Sequence, residues 1–585
     1  MALGYASGIS CCSRVRAGGV SILFGRLGRM AERVDVCIVG SGFGGSIAAY
    51  RLGELYRAAE RDASILVLER GQRFGHTDFR QSMDVDHLSD VYGLIQGQGA
   101  QIVLGNLVGG GSNLYLAASL RSPSETFERM DAHPDDGPRR RMWPAPISRR
   151  RLNRYYRRAE AALRVRQPSW NQVSKSGGVW AAMLRESGYT CDRVPVAIDF
   201  GRCVDAKWCY TGCVFGAKNS VITNYLASAE RFGAEVRPLV QVNEVTASNT
   251  PPDYRWLVQG VNINPDSKQP AGAIEDIECK VLILAAGAMG TPPILMRSRQ
   301  NGALPGVSAH LGRHLGVNGD HVAAIEVNPR KVREVLDLPG YAEFHKGKPI
   351  TTMSYDHWVG KRGNAHDGTR FTLQEILLSQ LTNFLYDDGR GDGSEPTWWG
   401  REKKRSISTW NRHIEILAMV EDTHDGQFYG VPPNGGGHVQ PNGGPVGIGL
   451  FNYELSPQST TIRERADAAI RAICERRGVG RFLRLAETEG VYASHPLGGC
   501  RMADEIGLGV TDHRCEVFGS EGLFCMDSSV IPTSLGVNPS LTISAVCERA
   551  AAKLVKRAAD YGLPVPPEGF RHRAPGVHVG PRVRP

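Results

Sequence analysis

Residues 34–45, Val34-Asp-Val-Cys-Ile-Val-Gly40-Ser-Gly42-Phe-Gly-Gly45, decide how the rest of the chain is read. Val34, Val36, Ile38 and Val39 form a short β-branched run of the kind that makes a buried parallel strand. Gly40, Gly42 and Gly45 then give G-x-G-x-x-G at the strand's end. The first Gly allows a tight turn, the second lets a pyrophosphate approach the backbone, and the third lets the next helix pack closely. That helix, Gly45 to about Glu60, aims its free amide groups at the phosphates. A second strand, Ser64-Ile-Leu-Val-Leu-Glu69, ends in an acid. A carboxylate there can accept both hydroxyls of an adenosine ribose and would repel a 2′-phosphate. Strand, glycines, helix, strand and Glu69 together predict a dinucleotide site, against the alternative of a Gly-rich turn with a surface Glu.

At 585 residues the chain is too long for one small core and predicts two domains. Hydrophobic content of 41% and charged content of 22% are ordinary for a soluble globular protein. The net charge is +9, but Lys and Arg are spread along the chain and often sit beside acids. That predicts a mildly basic surface, no nucleic-acid partner and at most a peripheral membrane contact. Cysteines number 13, an odd count scattered mostly as single residues, which fits a reduced, cytoplasmic chain. No run nears the ~18 apolar residues needed to span a bilayer. Residues 1–30 hold Arg14, Arg16, Arg26 and Arg29 and no acid, and read as a disordered leader with Met30 as an alternative start. Residues 561–585, rich in Pro, Arg and His, read as a tail.

Further along, Gly109-Gly-Gly-Ser112 leaves main-chain N–H groups bare and lets a ring or phosphate lie against the backbone. Arg149–Arg164 predicts a helix with Arg150, Arg151 and Arg154 outward. Cys203, Cys209 and Cys213 lack C-x2-C spacing and a fourth ligand, so a packed cysteine-rich loop is expected, with no metal. A strand over Asp276–Leu284 runs into a second glycine turn at Gly287. Between 323 and 490, short alternating segments, among them Ala323–Val327 and His413–Val420, are separated by Pro- and Gly-rich connections. Pro433-Asn-Gly-Gly and Pro441-Asn-Gly-Gly are strong turn signals, so an inserted antiparallel sheet is predicted. A helix follows, with Thr461 and Glu464 spaced as a capping box.

Two C-terminal stretches complete the set. His495 precedes a Gly-containing turn in Tyr492-Ala-Ser-His495-Pro-Leu-Gly-Gly-Cys500. Leu523–Asp527 reads as a strand ending in an acid, and Gly536-Val-Asn538-Pro539 opens a helix to about Arg557. Asn538 and Pro539 look like an N-cap and a first-turn proline. A lone histidine and a capping Asn each have a structural explanation. Their place at a strand end and a helix N-terminus makes them candidates for chemistry.

Gly40–Gly45, Gly109–Ser112, Gly212–Ser220, Ala286–Pro292, His495–Gly499, Met526-Asp527 and Gly536–Pro539, in this order, resemble the glucose–methanol–choline (GMC) oxidoreductase family, most closely its cholesterol-oxidase-like branch. The resemblance spans about residues 34–560 and is weakest over 325–490. It implies an α/β fold: a Rossmann-type FAD-binding domain (31–130, 201–322 and 490–560) with an inserted antiparallel-sheet substrate domain (131–200 and 323–489). It implies non-covalent FAD, with Gly40, Ser41, Gly42, Phe43, Gly44 and Gly45 at the pyrophosphate and Glu69 on the ribose. Val242 then lies by the adenine and Gly110, Gly111, Ser112 and Tyr115 near the flavin. Gly287 lines the second glycine turn, and Asp527, Pro539 and Ser540 sit at the flavin's far side. His495 and Asn538 correspond to the family's catalytic pair.

Two departures stand out. The family's second signature continues into a Ser-Gly-hydrophobic-Gly run, where this chain has Leu295-Met-Arg-Ser-Arg-Gln-Asn301. The acid that isomerises the steroid double bond has only Glu415 as a candidate. The implied reaction is oxidation of a bulky apolar alcohol, a 3β-hydroxysterol or long-chain alcohol, by hydride transfer to flavin N5. O2 or another acceptor then takes the electrons. An imidazole that titrates near neutrality suits His495 as base or proton relay, and a carboxamide suits Asn538 as the orienting partner. The alternatives are an NAD-linked dehydrogenase or reductase and a catalytically silent lipid-binding flavoprotein. Bound flavin, and its reduction by an alcohol, separate the three.

Overall fold

The computed structural model describes residues 31–576 apart from 83, 131–139, 249–252, 341–343, 345, 362–367, 378–399, 432–445 and 485–490. The leader and both Pro-Asn-Gly-Gly turns lie outside these residues. Strand β1 (Glu32–Val39) runs into helix α1 (Phe43–Ala58), and the chain returns as β2 (Ile65–Leu68). β1 pairs in parallel with β2, Val36 opposite Ile65. On its other side it pairs in parallel with β3 (Ile277–Leu284), Val36 opposite Val281. Val36, Ile38, Val281, Leu282, Ile283 and Leu284 are fully buried. A sheet covered on both faces needs such unbroken aliphatic runs, and each buried side chain contributes about 1.5–3 kcal/mol. Leu523–Cys525 adds in parallel beside β3, so segments from both ends of the chain make one sheet. Trp256–Ile263 and Val240–Ala247 extend it as an antiparallel wing.

A second sheet ends in Val491–Ala493, parallel to Ala100–Gly105, and that strand delivers His495. The third sheet is antiparallel and is built on β4 (Asp320–Val327), β5 (Phe371–Ile376) and β6 (His413–Val420), with β6 between the other two. Alternation sorts its faces. Ile414, Ile416, Ala418 and Val420 pack with Ile462, Ala466 and Ile470 of a helix behind the sheet. Leu417 and Met419 join Ile350, Met353 and Ile376 in the core shared with the parallel sheet.

Three further helices matter below: α2 (Arg149–Ala162), α3 (Pro457–Cys474), which backs the third sheet, and α4 (Ser540–Lys556), which packs on α1 and α2. The start of α3 differs from the capping-box expectation. Ser456 caps it, accepting from Ser459 N at 3.0 Å with Pro457 at N1, and Thr461 lies inside, its hydroxyl turned back to the Pro457 carbonyl at 2.9 Å. Ser followed by Pro outcompetes the later Thr because proline suits only the first turn. α1 and α4 are joined by a buried ion pair in which Arg51 donates to both Glu548 oxygens at 2.8 and 2.7 Å. Beyond α4 the described part of the expected tail is irregular but docked. Arg573 N donates to Glu54 at 2.5 Å, His572 Nδ1 bonds the same carboxylate at 2.9 Å, and Arg51 donates to the Arg573 carbonyl at 2.6 Å.

Candidate active site

The glycines after β1 divide into two kinds. A Cβ on Gly40 would lie 2.3 Å from the Ala285 carbonyl oxygen, on Gly44 1.6 Å from that of Met526, and on Gly45 1.9 Å from that of Gly40. These three let the ends of β1, β3 and Leu523–Cys525 close on α1. Gly42 and Gly111 have nothing within 4 Å of such a Cβ, and Gly110 would meet only the Gly42 backbone, at 3.3 Å. The two glycine turns therefore touch at Gly110 and Gly42 and leave open space beside Gly42 and Gly111. Gly42 is the N-cap of α1 and supplies no side-chain cap, and the first turn holds no acid, so the helix N–H groups are free for an anion.

Glu69 is buried, and its Oε2 accepts from Ser41 N at 3.0 Å and Ser41 Oγ at 2.6 Å while Oε1 accepts from Gly71 N at 2.9 Å. Burial pushes its carboxyl up, against those hydrogen bonds. An ionised carboxylate has about four acceptor positions, so one remains for a ribose hydroxyl. Ser41 Oγ also accepts from Gly109 N at 2.8 Å, which locks the two glycine turns together. Val242 lies two residues past Val240, whose N–H bonds the Glu69 carbonyl at 2.9 Å. The Ser112 hydroxyl is spent locally, donating to the Gly109 carbonyl at 2.7 Å and accepting from Val221 N at 3.2 Å. Tyr115 donates to the Asn219 carbonyl at 2.8 Å and sets its ring edge-on to Phe43 at 5.5 Å. Beneath it Lys218, buried, donates to the Asn113, Tyr115 and Cys209 carbonyls, and burial brings its ammonium down to about 8. Cys203, Cys209 and Cys213 are free thiols, and burial pushes Cys209 up to about 12.

On the far side Asp527 is a structural staple. Its Oδ2 accepts from Gly287 N at 2.8 Å and Thr291 Oγ1 at 2.5 Å, and its Oδ1 from Ser529 N at 2.7 Å. Gly498 N bonds the Ser528 carbonyl at 3.1 Å, so the turn after His495 rests on the turn after Asp527. Ser540 Oγ donates to the Ala118 carbonyl at 3.1 Å, tying the start of α4 to the segment after Tyr115.

His495 and Asn538 are held by one short stretch of chain, the entry to β4. Asp320 Oδ1 accepts from His495 Nδ1 at 2.7 Å, and its Oδ2 accepts from Ser494 N at 3.0 Å. A carboxylate on Nδ1 fixes the tautomer and leaves Nε2 as an acceptor. Among the described residues Nε2 has no partner. Two positions earlier, Asn318 accepts from Leu535 N at 2.7 Å and donates to the Val537 carbonyl at 2.9 Å. Thr372 Oγ1 on β5 donates to the Gly536 carbonyl at 2.8 Å. The residue just before Pro539 is thus presented by a clamped loop. Asn538 is 7% exposed, and its Oδ1 is buried without a partner among the described residues. It is not the helix cap: Pro539 is, with no side-chain cap bond. Leaving such an acceptor unpaired costs about 1–3 kcal/mol, so this carboxamide is kept for something other than folding.

Above this pair stands the inner face of the third sheet. Asp320 opposes Met419, which opposes Thr372, and one pair further along Gln374 opposes Leu417. Both polar atoms of Gln374 are buried and unpartnered among the described residues. Glu415 shares that face, opposite Ala324 and Ile376, four residues from Met419 and so about 13 Å from the Asp320 position. Sequence reasoning missed Asp320, Asn318 and Gln374. An acid at the head of an alternating run was the available signal for Asp320, because β4 begins three residues before the expected Ala323.

The cradle passes the test for a flat, diphosphate-bearing cofactor: open glycines face bare helix amides, and a buried carboxylate keeps an acceptor to spare. The GMC oxidoreductase N-terminal model matches residues 12–316 and the C-terminal model residues 452–547. A cholesterol oxidase of Mycobacterium tuberculosis is 27% identical, over 93% of this chain and 95% of its own length. A long-chain-alcohol oxidase of Arabidopsis thaliana is 23% identical, over 89% of this chain and 67% of its own length. The fold is shared with Aspergillus oryzae formate oxidase, solved in a study of FAD modification, at a TM-score of 0.58 and 15% identity, covering 91% of this chain and all of that one (100%).

Proposed function

This chain belongs to the GMC oxidoreductase family, an FAD-dependent oxidoreductase of alcohol donors, and we propose that it oxidises a bulky apolar alcohol between His495 and Asn538. FAD, when bound, supplies the hydride acceptor. His495 Nε2 takes the hydroxyl proton, while Asp320 holds the ring and stabilises the imidazolium that forms. Asn538 fixes the alcohol oxygen through its amide N–H, and its Oδ1 gains from the bound molecule the partner that the protein withholds. The free N–H groups of α1 and the glycines around Ser41 hold the diphosphate, with Glu69 on the ribose.

An apolar substrate is supported by Met353, Ile376, Leu417 and Met419 on the sheet face above the pair, and by the relatives that act on cholesterol and long-chain alcohols. Those relatives are oxidases, which supports O2 as the terminal acceptor. The observation that carries the reading is the Asp320–His495 bond, because it leaves one unpaired ring nitrogen in a prepared tautomer. Anaerobic mixing of yellow protein with a 3β-hydroxysterol or a long-chain primary alcohol tests it. Bleaching of the flavin band by either is the expected result. A flavin that no apolar alcohol reduces overturns the substrate assignment.

A further inference from the structure

Helices α2 and α4 pack side by side, with Tyr156 Oη and Thr542 Oγ1 2.8 Å apart. A cavity of about 670 Å³ opens along them, lined from α2 by Arg150, Arg151, Arg154 and Arg157 and from α4 by Arg549 and Lys553. Pro146, Asn153 and His513 complete its wall, and no acid contributes. None of the six cations has an ion-pair partner among the described residues. The one acid of α2, Glu160, is taken by Arg121. Asp512 beside the cavity is taken by Arg514 at 2.7 Å and by the N–H groups of Arg514 and Glu516. Arg549 is 6% exposed, yet among the described residues its guanidinium hydrogen-bonds only the carbonyl and Nδ1 of His513. Burial and the neighbouring Arg549, Lys556, Arg154 and Arg514 charges pull the Lys553 ammonium below its usual value.

Cations at i, i+4 and i+7 of one helix facing cations at i and i+4 of another repel each other and oppose the packing they sit on. Their gathering around one open cavity, without a compensating carboxylate among the described residues, is explained by an anion that enters it. We propose that this cavity binds an anion carrying at least two phosphate groups. Guanidinium forks match phosphate oxygens two at a time, and the volume suits a ligand of nucleotide size. The clustered phosphates can come from a free diphosphate or triphosphate or from the headgroups of anionic phospholipid. The site lies on helices distinct from the glycine turns and makes no use of the alcohol assignment.

The test uses the full-length, FAD-loaded protein. Pyrophosphate and ATP are titrated calorimetrically, and phosphatidylcholine vesicles with and without phosphatidylglycerol are used for co-sedimentation. The triple variant Arg150→Gln, Arg154→Gln, Arg157→Gln changes only exposed side chains, and its turnover of dispersed alcohol should equal that of the parent. A second triple variant, Arg330→Gln, Arg471→Gln, Arg477→Gln, removes the same net charge elsewhere. Binding that falls about tenfold or more in the first variant and holds in the second supports the site. Binding of the soluble phosphates alone assigns a free anion, and binding of the phosphatidylglycerol vesicles alone assigns a lipid headgroup. Absence of binding in both arms, or equal binding losses in the two variants, overturns the proposal.

Discussion

Asp320 accepts a hydrogen bond from Nδ1 of His495 at 2.7 Å, across 175 positions of chain, and spends its second oxygen on the N–H of Ser494. One carboxylate therefore sets both the ring's tautomer and the backbone that carries it. Replacing Asp320 by Asn keeps the shape but removes the charge that stabilises a protonated imidazole. Turnover should fall by about 10²-fold or more, with KM little changed and the flavin spectrum intact. Asp320→Glu should recover part of the rate. A loss confined to thermal stability would reduce Asp320 to a packing residue.

His495→Ala should purify yellow and lose about 10²–10⁴-fold in anaerobic flavin reduction, the range a general base supplies. Full-speed reduction by the variant would refute the role given to the ring.

Asn538 discriminates a capping side chain from one held for a ligand. An N-cap replaced by Ala costs about 1 kcal/mol. Since Pro539 caps α4 and Asn538 Oδ1 is unpartnered, Asn538→Ala should leave the melting temperature unchanged or raise it while slowing flavin reduction. Asn318→Ala should do the opposite first, loosening the loop through its two lost bonds to Leu535 and Val537.

Gly42 and Gly44, two positions apart in the motif, should fail differently. Gly44→Ala drives a methyl to within 1.6 Å of the Met526 carbonyl and should yield no soluble protein. Gly42→Ala meets nothing in the fold, so the protein should be folded by circular dichroism and colourless, its methyl standing where the diphosphate belongs.

Acid should destabilise the protein through its buried histidines. His424 is 1% exposed with both ring nitrogens unpartnered, and burial lowers it to about 4; burial lowers His413 likewise to about 4. In this pH range the unfolded chain binds more protons than the folded one, so stability is greatest above about 6.5 and drains away as pH falls toward 4. For His424 alone the loss is about 3 kcal/mol. Denaturant midpoints measured over that range should slope downward with acid, and His424→Leu should flatten the slope.

The strand–glycine–helix unit and the strand at 413–420 were legible because they rest on local periods and on Gly chemistry, both written in consecutive residues. The first turn of α4 was less so: Asn538-Pro539 has the composition of a cap, and only the clamp from Asn318 and Thr372 shows the side chain released from that duty. Asp320, Asn318 and Gln374 were invisible for a different reason. Each acquires its meaning from a partner more than a hundred positions away or from an empty coordination position, neither of which leaves a periodic trace. The α2 arginines were read correctly as outward, but that they gather with Arg549 and Lys553 around one cavity depends on how two distant helices meet.

The sheet that carries the glycine turns has a consequence for the order of manufacture. β3 meets Leu523–Cys525 along its edge, and Gly44 closes against Met526, so a nascent chain released only as far as residue 520 lacks the strand and the helix α4 that close one side of its first helix. The N-terminal βαβ piece leaves the ribosome early yet waits, incomplete, for nearly the whole translation. Cofactor capture is thereby a late event, and a prematurely ended polypeptide exposes the flank of β3 as a sticky edge for aggregation rather than a working fragment.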